Sequence, residues 1–390
     1  MPAPPPFFIL RAHAAPLSAL HFTPGNTHLL AGDQDGVVSV SDLRTRRVVA
    51  SWEAHKGGVL GVGEWAGGII SQGRDNAIRL YAPLSSGPPE ITREMPANAL
   101  NFCAFSLARV PGEETALMAV PNLTDSELID IYALPSLDRV GAAVNFLPRA
   151  KDGPRSGLVM SLHLAVLPHT APREAEGKGK GKARTEDQLA LVAAYEDGRV
   201  ELWSCPLAAL LERRAEWDGR KMADKLWSRV WEGKAHNEAV MAMAVDRAFE
   251  RAFTVSADHR VVRIDLAAAL AGEVAIKAYP TQQIGNSALA VSGDGRILAV
   301  GGWDGKIRLF SAATLKPLGA LAYHRESVHA LAWGSPDPAP PRRAGTLALG
   351  ADSDSDSEDG GGDEAGDPTN WLASGAKDRR IALWNIDIAR

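Results

Sequence analysis

One short pattern recurs along this 390-residue chain and limits what the chain can fold into. An Asp is followed by alternating apolar residues and, six positions after the Asp, by an aromatic residue or a substitute for one. The alternation is typical of a half-buried β-strand, and Asp before Gly or Asn is a hairpin turn signal. Six copies keep this spacing: Asp35/Ser41, Asp75/Tyr81, Asp197/Trp203, Asp258/Ile264, Asp304/Phe310 and Asp378/Trp384.

Other landmarks extend this pattern into a larger unit. Asp125, with Tyr132 seven residues later, gives a seventh copy that carries one extra residue. In three copies a His precedes the Asp by 20 or 22 residues, and a further pair of strand-like segments lies between them. Each unit therefore contains about four short strands. These three histidines are His13, His55 and His236, and a fourth, His324, lies upstream of Asp378 at a longer distance.

The unit resembles the WD40 repeat, which forms one four-stranded blade of a β-propeller from about 40–45 residues. The Trp-Asp dipeptide itself is eroded here, and Ser41-Asp42 and Trp384-Asn385 are its nearest forms. The resemblance implies that the inner Asp hydrogen-bonds toward the His of its own blade, so these residues are structural and not catalytic. The expected structural positions are His13, Asp35, His55, Asp75, Asp125, Asp197, Trp203, His236, Asp258, Asp304, His324, Asp378 and Trp384.

Seven Asp-centred units predict an all-β, seven-bladed WD40 β-propeller that forms a single domain over residues 7–390. A closed ring must pair its two ends, because an open sheet edge can recruit another chain. FFIL, at 7–10, has no unit of its own, and the last unit supplies only three inner strands. The N-terminal strand is therefore predicted to complete the last blade.

Uneven spacing between the units predicts three insertions. Residues 151–188 contain a Gly/Lys-rich stretch that is expected to be disordered. Residues 206–220 carry Leu and Trp at near-helical spacing, which predicts a short helix that either packs on the rim or docks a partner. Residues 335–370 hold an acidic run that is expected to be a disordered, solvated loop. Because residues 352–367 hold eight acids, the remainder carries +3 against −5 for the whole chain, and no direct nucleic-acid binding is expected.

The sequence contains no recognisable catalytic motif. It lacks a P-loop, a GxSxG elbow, an HExxH pair and a dinucleotide-binding glycine fingerprint. Cys103 and Cys205 offer neither a disulfide framework nor a Cys-based zinc site, and they fit a reducing compartment. No bilayer-spanning apolar run or signal peptide is recognised. We therefore expect no enzyme activity, catalytic residue, cofactor, metal site or membrane association.

A rigid ring presents a broad face to partners, and the residue before each inner Asp is expected to point to that face. The candidate partner-binding residues are Arg74, Glu196, Trp303 and Lys377. Trp303, Arg74 and Lys377 stand out, because exposed Trp and Arg are common anchors of protein interfaces. The alternative for Trp303 is packing against a neighbouring loop.

Several stretches resemble the ASTRA-associated WD-repeat proteins of fungi. NALNFCAF is the most telling, because an ordinary WD repeat does not need a buried Asn, Phe and Cys there. The similarity covers most of the chain outside the insertions. The stretches are FFILRAH (7–13), TRRVVASWEAHKGGVLGV (45–62), ISQGRDNAIRLY (70–81), PANALNFCAFS (96–106) and GAKDRRIALWNI (375–386).

This resemblance implies a non-enzymatic scaffold in a nuclear assembly, with a cytoplasmic location also left open. The implied protein partners are a cochaperone of phosphatidylinositol-3-kinase-like kinases, AAA+ ATPases and a kinase-like chromatin coactivator. The implied processes are chromatin remodelling and maturation of those kinases. Two alternatives remain. One is a WD40 adaptor of another assembly, such as a substrate receptor or a G-protein β-like subunit, although no long coiled-coil helix precedes the repeats. The other is a propeller enzyme, which would need convergent titratable residues around the channel.

Overall fold

A computed structural model describes residues 4–84, 88–145, 157–168, 187–212, 226–281, 283, 285–337 and 367–386. These residues form seven antiparallel sheets of four strands each, arranged as blades around a central channel. The predicted all-β, seven-bladed propeller is therefore confirmed.

The chain first forms β1 (Phe8–Leu10) and then enters the first three blades. Blade 1 comprises β2 (Leu17–Phe22), β3 (His28–Asp33), β4 (Val37–Asp42) and β5 (Arg47–Glu53). Blade 2 comprises β6 (Val59–Trp65), β7 (Gly68–Gly73), β8 (Ala77–Tyr81) and β9 (Ile91–Pro96). Blade 3 comprises β10 (Ser106–Arg109), β11 (Ala116–Pro121), β12 (Ile129–Leu134) and β13 (Asp138–Val144).

The remaining four blades follow in chain order. Blade 4 comprises β14 (Val159–Leu167), β15 (Gln188–Tyr195), β16 (Arg199–Pro206) and β17 (Ser228–Lys234). Blade 5 comprises β18 (Val240–Val245), β19 (Arg251–Ser256), β20 (Arg260–Asp265) and β21 (Ile276–Pro280). Blade 6 comprises β22 (Asn286–Val291), β23 (Ile297–Gly302), β24 (Lys306–Ser311) and β25 (Pro317–Ala322). Blade 7 comprises β26 (Val328–Trp333), β27 (Trp371–Ala376), β28 (Ile381–Asn385) and β1.

The order of the strands within a blade explains the burial pattern. The second strand is covered on both faces by neighbouring blades, so β7 and β27 are buried at every position. The outermost strands β9 and β25 are exposed at most positions. The core thus lies between the blades, where apolar side chains of adjacent sheets interdigitate.

The N-terminal strand closes the ring as predicted. β1 pairs antiparallel with β28, and Phe8, Ile9 and Leu10 lie opposite Leu383, Ala382 and Ile381. The backbone N–H of Phe7 adds a hydrogen bond to the carbonyl of Leu383 at 2.9 Å. β1 therefore forms the outer strand of blade 7, and the edge of β28 is paired instead of open.

A small residue on the second strand lets neighbouring blades approach closely at the seam. A Cβ added to Gly375 in blade 7 would lie 2.8 Å from Leu17 Cβ in blade 1. The same relationship holds inside the ring, where a Cβ on Gly32 would overlap Val59 of blade 2. The glycines are therefore needed because side chains of the next blade occupy their Cβ positions.

Antiparallel connectivity sorts the connections onto two faces of the ring. We call the face with the turns between second and third strands, and the links between blades, the upper face. The opposite, lower face carries the turns between first and second strands. Residues 169–186 and 338–366, which lie outside the described part, connect the first and second strands of blades 4 and 7. The described residues on either side of these two segments are therefore at the lower face.

The structure changes the boundaries of the predicted insertions. Residues 157–168 fall inside the range expected to be disordered, yet they contain β14, the innermost strand of blade 4. The alternating sequence VMSLHLAVL forms this strand, and the predicted insertion is too long because it includes these residues together with the Gly/Lys-rich stretch that follows. Most of the rest of 151–188, and residues 338–366 of the acidic insertion, lie outside the described residues.

Two short helices occur among the described residues. α1 (Leu207–Leu211) lies within the insertion predicted at 206–220, whose residues 213–220 are outside the described part. Leu207 and Leu210 of α1 are buried, so this helix packs on the rim. α2 (Leu266–Leu270) follows β20 and is capped by Asp265, whose side chain accepts from the N–H of Ala268. None of the helices in the described ranges is long and apolar enough to cross a membrane.

Candidate partner-binding surface at the end of the central channel

Buried networks of His, Asp and a hydroxyl group fix the upper face of the ring. In blade 2, Nδ1 of His55 lies 2.8 Å from Asp75 Oδ1, and Nε2 lies 2.7 Å from Ser71 Oγ. The His is in the link that enters the blade, and the other two residues come from the second strand and the turn that follows it. Equivalent networks join His236, Asp258 and Thr254 in blade 5, and His324, Asp378 and Ser374 in blade 7.

Blade 7 carries the most complete network. The indole Nε1 of Trp384 donates to Ser374 Oγ at 2.9 Å, and Trp384 is 1% exposed. This Trp lies on the third strand, so the network ties the second and third strands to the link from blade 6. Both ring nitrogens of His324 are occupied, which leaves none free to exchange protons with a substrate.

The network of blade 1 corrects the sequence prediction. Asp35 was expected to contact His13, but Asp35 is exposed at the turn. Nδ1 of His13 instead lies 2.8 Å from Asp33 Oδ2, and Nε2 lies 2.8 Å from Ser39 Oγ. The six-residue spacing selected Asp35 because it precedes the turn Gly, whereas the position two residues earlier faces His13.

The three remaining blades use their Asp differently. In blade 6, Asp304 pairs with Arg308, with Oδ2 to Nη2 at 2.7 Å. In blade 4, Asp197 pairs with Arg199 at 2.6 Å. In blade 3, Asp125 accepts from the N–H of Glu127 within its own turn. None of these three contacts a His among the described residues.

Blades 3 and 4 instead contain buried carboxylates that the sequence pattern missed. Asp130 of β12 is fully buried and accepts from Asn122 Nδ2 at 2.9 Å and from the N–H of Ala143 at 2.9 Å. Glu201 of β16 is 1% exposed and accepts from Trp203 Nε1 at 3.0 Å. Both acids lie on strands rather than in turns, so a turn-based search does not find them.

Burial keeps the network histidines of blades 2, 5 and 7 neutral near pH 7. Burial lowers the pKa of His55, His236 and His324, and in each case this outweighs the adjacent carboxylate. Burial alone would raise the pKa of Asp75, but hydrogen bonds from Arg79 and His55 lower it. In blade 2, therefore, a neutral imidazole lies beside an ionised carboxylate, an arrangement that holds structure.

The four candidate partner-binding residues all lie in turns between second and third strands. Arg74, Glu196 and Lys377 are exposed, and Trp303 is 46% exposed. Glu196 is used locally, because its Oε2 accepts from the N–H of Leu158 at 3.2 Å. Of the four, Arg74 and Trp303 line the upper end of the central channel.

Trp303 combines exposure with local packing. Its ring lies against Gly285, which has φ +85°, and a Cβ there would overlap the indole. The Trp303 N–H donates to the Gly285 carbonyl at 3.0 Å, and its carbonyl accepts from Ser327 Oγ at 3.1 Å. Both predictions for Trp303 therefore hold. One face of its ring packs against a neighbouring loop, and the side chain is still half exposed on the upper face.

The link from blade 2 to blade 3 carries two exposed apolar side chains. The sequence pattern predicts one of them, Phe102, to be buried and gives no prediction for the other, Leu100. Asn98, Asn101 and Cys103 of NALNFCAF are buried, as expected. Phe102, by contrast, is 49% exposed, and Leu100 is 66% exposed. Burial alternates only over residues 101–103, where Phe102 points outward between two buried neighbours, and Leu100 is exposed in the bend before them.

These side chains surround one cavity at the upper end of the channel. It encloses about 670 Å³, which is within the range of small-ligand pockets. We call its rim the channel mouth and define it by Arg74, Phe102, Met241, Trp303 and His329. Burial and the nearby Lys377 lower the pKa of His329. The rest of the wall consists mainly of small, aliphatic and Met residues of the innermost strands, with Gln34 contributed by a turn of blade 1.

The chemistry at the channel mouth favours binding. In the described ranges, no group of three His, Cys, Asp or Glu residues has the geometry to hold a metal ion. Burial raises the pKa of Cys103, which keeps this thiol protonated. Apart from Gln34, the exposed groups that line the cavity are apolar or, in Arg74, cationic, and such surfaces recognise other molecules by contact and charge.

Four-stranded blades with His–Asp–hydroxyl networks define a WD40 β-propeller. Two family models agree with this class. The WD domain, G-beta repeat, matches residues 5–42, and the anaphase-promoting complex subunit 4 WD40 domain matches residues 261–336.

Similarity to whole proteins narrows the class. ASTRA-associated protein 1 of Verticillium alfalfae is 30% identical over 425 residues, which cover 98% of this chain and 93% of the relative. ASTRA-associated protein 1 of Penicillium rubens is 27% identical over 98% of this chain and 97% of its own length. A Mus musculus protein named guanine nucleotide-binding protein subunit beta-like protein 1 is 28% identical over 99% and 97%. The chain belongs to the ASTRA-associated protein 1 family.

Proposed function

We propose that this protein is a non-catalytic scaffold subunit of an ASTRA-type assembly, to which it binds through the upper face of its propeller. The observation that carries the proposal is the similarity over nearly the whole chain to proteins named ASTRA-associated protein 1. The rigid upper face, with apolar and cationic side chains at the channel mouth, supports a role in protein binding.

The proposed partners are those that the family resemblance implies. They are a cochaperone of phosphatidylinositol-3-kinase-like kinases, AAA+ ATPases and a kinase-like coactivator subunit. The proposed location is the nucleus, and the proposed processes are chromatin remodelling and maturation of the large kinases. A fluorescent fusion, imaged in the source cell, tests the location directly.

The proposed absence of catalysis rests on how titratable groups are used. The histidines of the blade networks have both ring nitrogens engaged. Within the described part of the cavity wall, the only ionisable side chains are Arg74 and His329. A general acid or base needs a partner that positions it against a substrate, and these two groups do not form such a pair in the hydrogen bonds of the described residues.

Affinity purification from the source cell, followed by mass spectrometry, tests the scaffold role. The wild-type chain is compared with Arg74→Glu/Trp303→Ala, which alters the channel mouth, and with Arg93→Glu/Leu318→Ser as a matched control. Arg93 and Leu318 are exposed on the outer strands β9 and β25. The proposal requires recovery of ASTRA-type subunits by the wild type and the control, with clear loss in the channel-mouth variant. Equal recovery by all three proteins would exclude the channel mouth as the binding surface.

The mouse relative supports a second candidate, a G-protein β-like adaptor, because its name describes a protein of that type. The same purification separates the candidates. Recovery of heterotrimeric G-protein subunits, without ASTRA-type subunits, would favour the adaptor. A propeller enzyme would instead show turnover on broad substrate panels that depends on the channel mouth.

A further inference from the structure

The link that carries Phe102 is held by several side-chain hydrogen bonds from buried residues. Gln72 of blade 2 is fully buried, and its amide donates to the Cys103 carbonyl at 3.1 Å while accepting from the N–H of Phe105 at 2.7 Å. The Asn101 side chain accepts from the N–H of Cys103 at 2.8 Å. The backbone on either side of Phe102 is therefore held before any partner arrives, which reduces the ordering cost of binding.

A second anchor holds the start of the link. Asn98 is buried, and its Oδ1 accepts from the N–H of Leu100 at 2.7 Å and from Ser126 Oγ at 3.2 Å. Its amide also donates to the carbonyl of Asn122 in the neighbouring turn. Buried polar groups thus support the exposed Leu100 and Phe102. Rigid, exposed apolar side chains on such a support are typical of an interface.

Arg74 gives the channel mouth its charge. Its guanidinium lies over the Phe102 ring, 5.1 Å from the centroid. Among the described residues no carboxylate forms an ion pair with Arg74, and no Asp or Glu lines the cavity. Stacking orients the planar guanidinium while its N–H groups stay available for a carboxylate.

The opposite part of the rim is apolar. Trp303 is fixed against Gly285 and half exposed, and Met241 is 37% exposed. Both line the same cavity as Phe102 and Arg74. Met adapts its shape to different apolar partners, while the Trp offers a rigid face. A cavity between these groups can take a large apolar side chain.

We propose that the channel mouth binds an acidic-apolar peptide segment of a partner protein. A Leu- or Phe-sized side chain enters the cavity that Phe102, Met241 and Trp303 line, and an Asp or Glu of the same segment pairs with Arg74. The described cavity wall carries the positive charge of Arg74 and no carboxylate, so an acidic segment complements its charge. A nucleic acid fits less well, because one guanidinium does not form the basic stripe that backbone binding needs. This inference rests on the proposed scaffold function and names the partner chemistry of the same surface.

The test uses fluorescein-labelled ten-residue peptides and the full-length protein. The parent peptides carry a central Leu or Phe flanked by Asp or Glu in a Gly/Ser background. Matched peptides replace the acids with Asn or Gln, replace them with Lys, or replace the apolar residue with Ala. Fluorescence polarisation at low and moderate salt gives the affinities. A single-stranded oligonucleotide serves as a polyanion probe.

Arg74→Glu should weaken binding of the acidic-apolar peptides by about ten-fold or more, and should strengthen binding of the Lys-containing peptides. Phe102→Ser should weaken both peptide classes, because it removes the apolar contact and the ring that orients Arg74. Arg93→Glu and Leu318→Ser are the matched controls, since Leu318 is 45% exposed, close to the 49% of Phe102. Melting curves of all variants verify that each remains folded.

Equal affinities of the acidic and amide peptides would overturn the inference, as would equal effects of Arg74→Glu and Arg93→Glu. Binding of the oligonucleotide, with no binding of the peptides, would assign the surface to nucleic acid instead. If no peptide binds while the same protein still recovers ASTRA-type subunits, the inference fails and the scaffold function stands. If those subunits are not recovered but the peptides bind through Arg74, the scaffold assignment fails and the peptide site stands.

Discussion

Ser39 lies directly opposite Ala31 in the β3–β4 pair of blade 1. In blade 2 the position equivalent to Ala31 is held by Ser71, whose hydroxyl lies 2.7 Å from His55 Nε2. In blade 1 the hydroxyl comes from the opposite strand, and Ser39 Oγ lies 2.8 Å from His13 Nε2. Both blades therefore place a Ser hydroxyl beside the His Nε2, but the Ser is on the third strand in blade 1 and on the second strand in blade 2.

This relationship predicts a specific rescue. Ser39→Ala should lower the free energy of unfolding by about 1–3 kcal/mol, because it leaves a buried imidazole nitrogen without a partner. Adding Ala31→Ser should restore part of that loss by returning a hydroxyl to the position used in blade 2. Urea unfolding of the wild type and the two variants measures both effects. A double variant less stable than Ser39→Ala alone would show that the second strand of blade 1 cannot supply the hydroxyl.

Ring closure predicts that the N-terminal strand is required for stability. Deleting residues 1–12 removes β1, its pairing with β28 and the stacking of Phe7 on Trp371, whose ring centroids are 5.1 Å apart. The exposed edge of β28 and the loss of apolar burial should lower the melting temperature clearly. Deletion of residues 1–6 is the control, because it leaves β1 in place. Identical melting curves for both truncations would contradict closure by β1.

Asp75 and Asp304 should differ in their contribution to stability, although the sequence pattern makes them equivalent. The Asp75 side chain is 12% exposed and accepts from His55, Arg79 and the N–H of Lys56. Asp75→Ala should therefore cost about 1–3 kcal/mol by leaving these donors unsatisfied. The Asp304 side chain is 35% exposed and pairs with Arg308, so its removal should cost about 1 kcal/mol or less. Chemical denaturation measures both, and a larger loss for Asp304→Ala would refute this ranking.

Two histidines of the innermost strands predict a pH dependence of stability. Burial lowers the pKa of His21, next to Arg109, and of His163, next to Asp246, to about 4 in each case. In the unfolded chain each titrates near pH 6.5, so between about 6.5 and 4 the unfolded state binds more protons. Stability is therefore complete above about pH 6.5 and falls as the pH decreases through this window.

Thermal melts between about pH 7.5 and 5 should show this loss, in a range where carboxylates contribute little. His21→Asn/His163→Asn should flatten the dependence, whereas His259→Asn, which removes an exposed imidazole at the surface, should not. An unchanged slope in the double variant would assign the pH dependence to other groups.

The acidic segment predicts a separable contribution to binding. Residues 352–366 of this segment lie outside the described residues, but the chain before them is anchored at Ser335, whose carbonyl accepts from the Asn26 amide at 2.8 Å. Deletion of 352–367 should leave the melting temperature unchanged. The deletion should weaken salt-sensitive association with basic proteins, and equal recovery of partners by the full-length and deleted proteins would show that the segment is a spacer. Recovery of partners at low and moderate salt distinguishes the two.

The periodicity of the sequence determined the architecture. Strand alternation and turn signals repeat through the chain, so the number of blades follows from local rules that act within each unit. The ring closure also followed from the sequence. The strand at residues 7–10 belongs to no unit and the last unit lacks one strand, so pairing the two completes the seventh blade. The positions of Arg74 and Trp303 on the upper face follow from the same turns.

Tertiary structure decided which side chains meet. The local spacing selects Asp35, but the link from blade 7 brings His13 to Asp33 and Ser39, and that encounter depends on how two blades pack. The exposure of Phe102 likewise could not be predicted from NALNFCAF, because the path of the link is set by Gln72 on the second strand of blade 2, far away in the sequence. Alternation and turn propensity are properties of neighbouring residues, whereas hydrogen bonds between blades depend on distances that only the closed ring fixes.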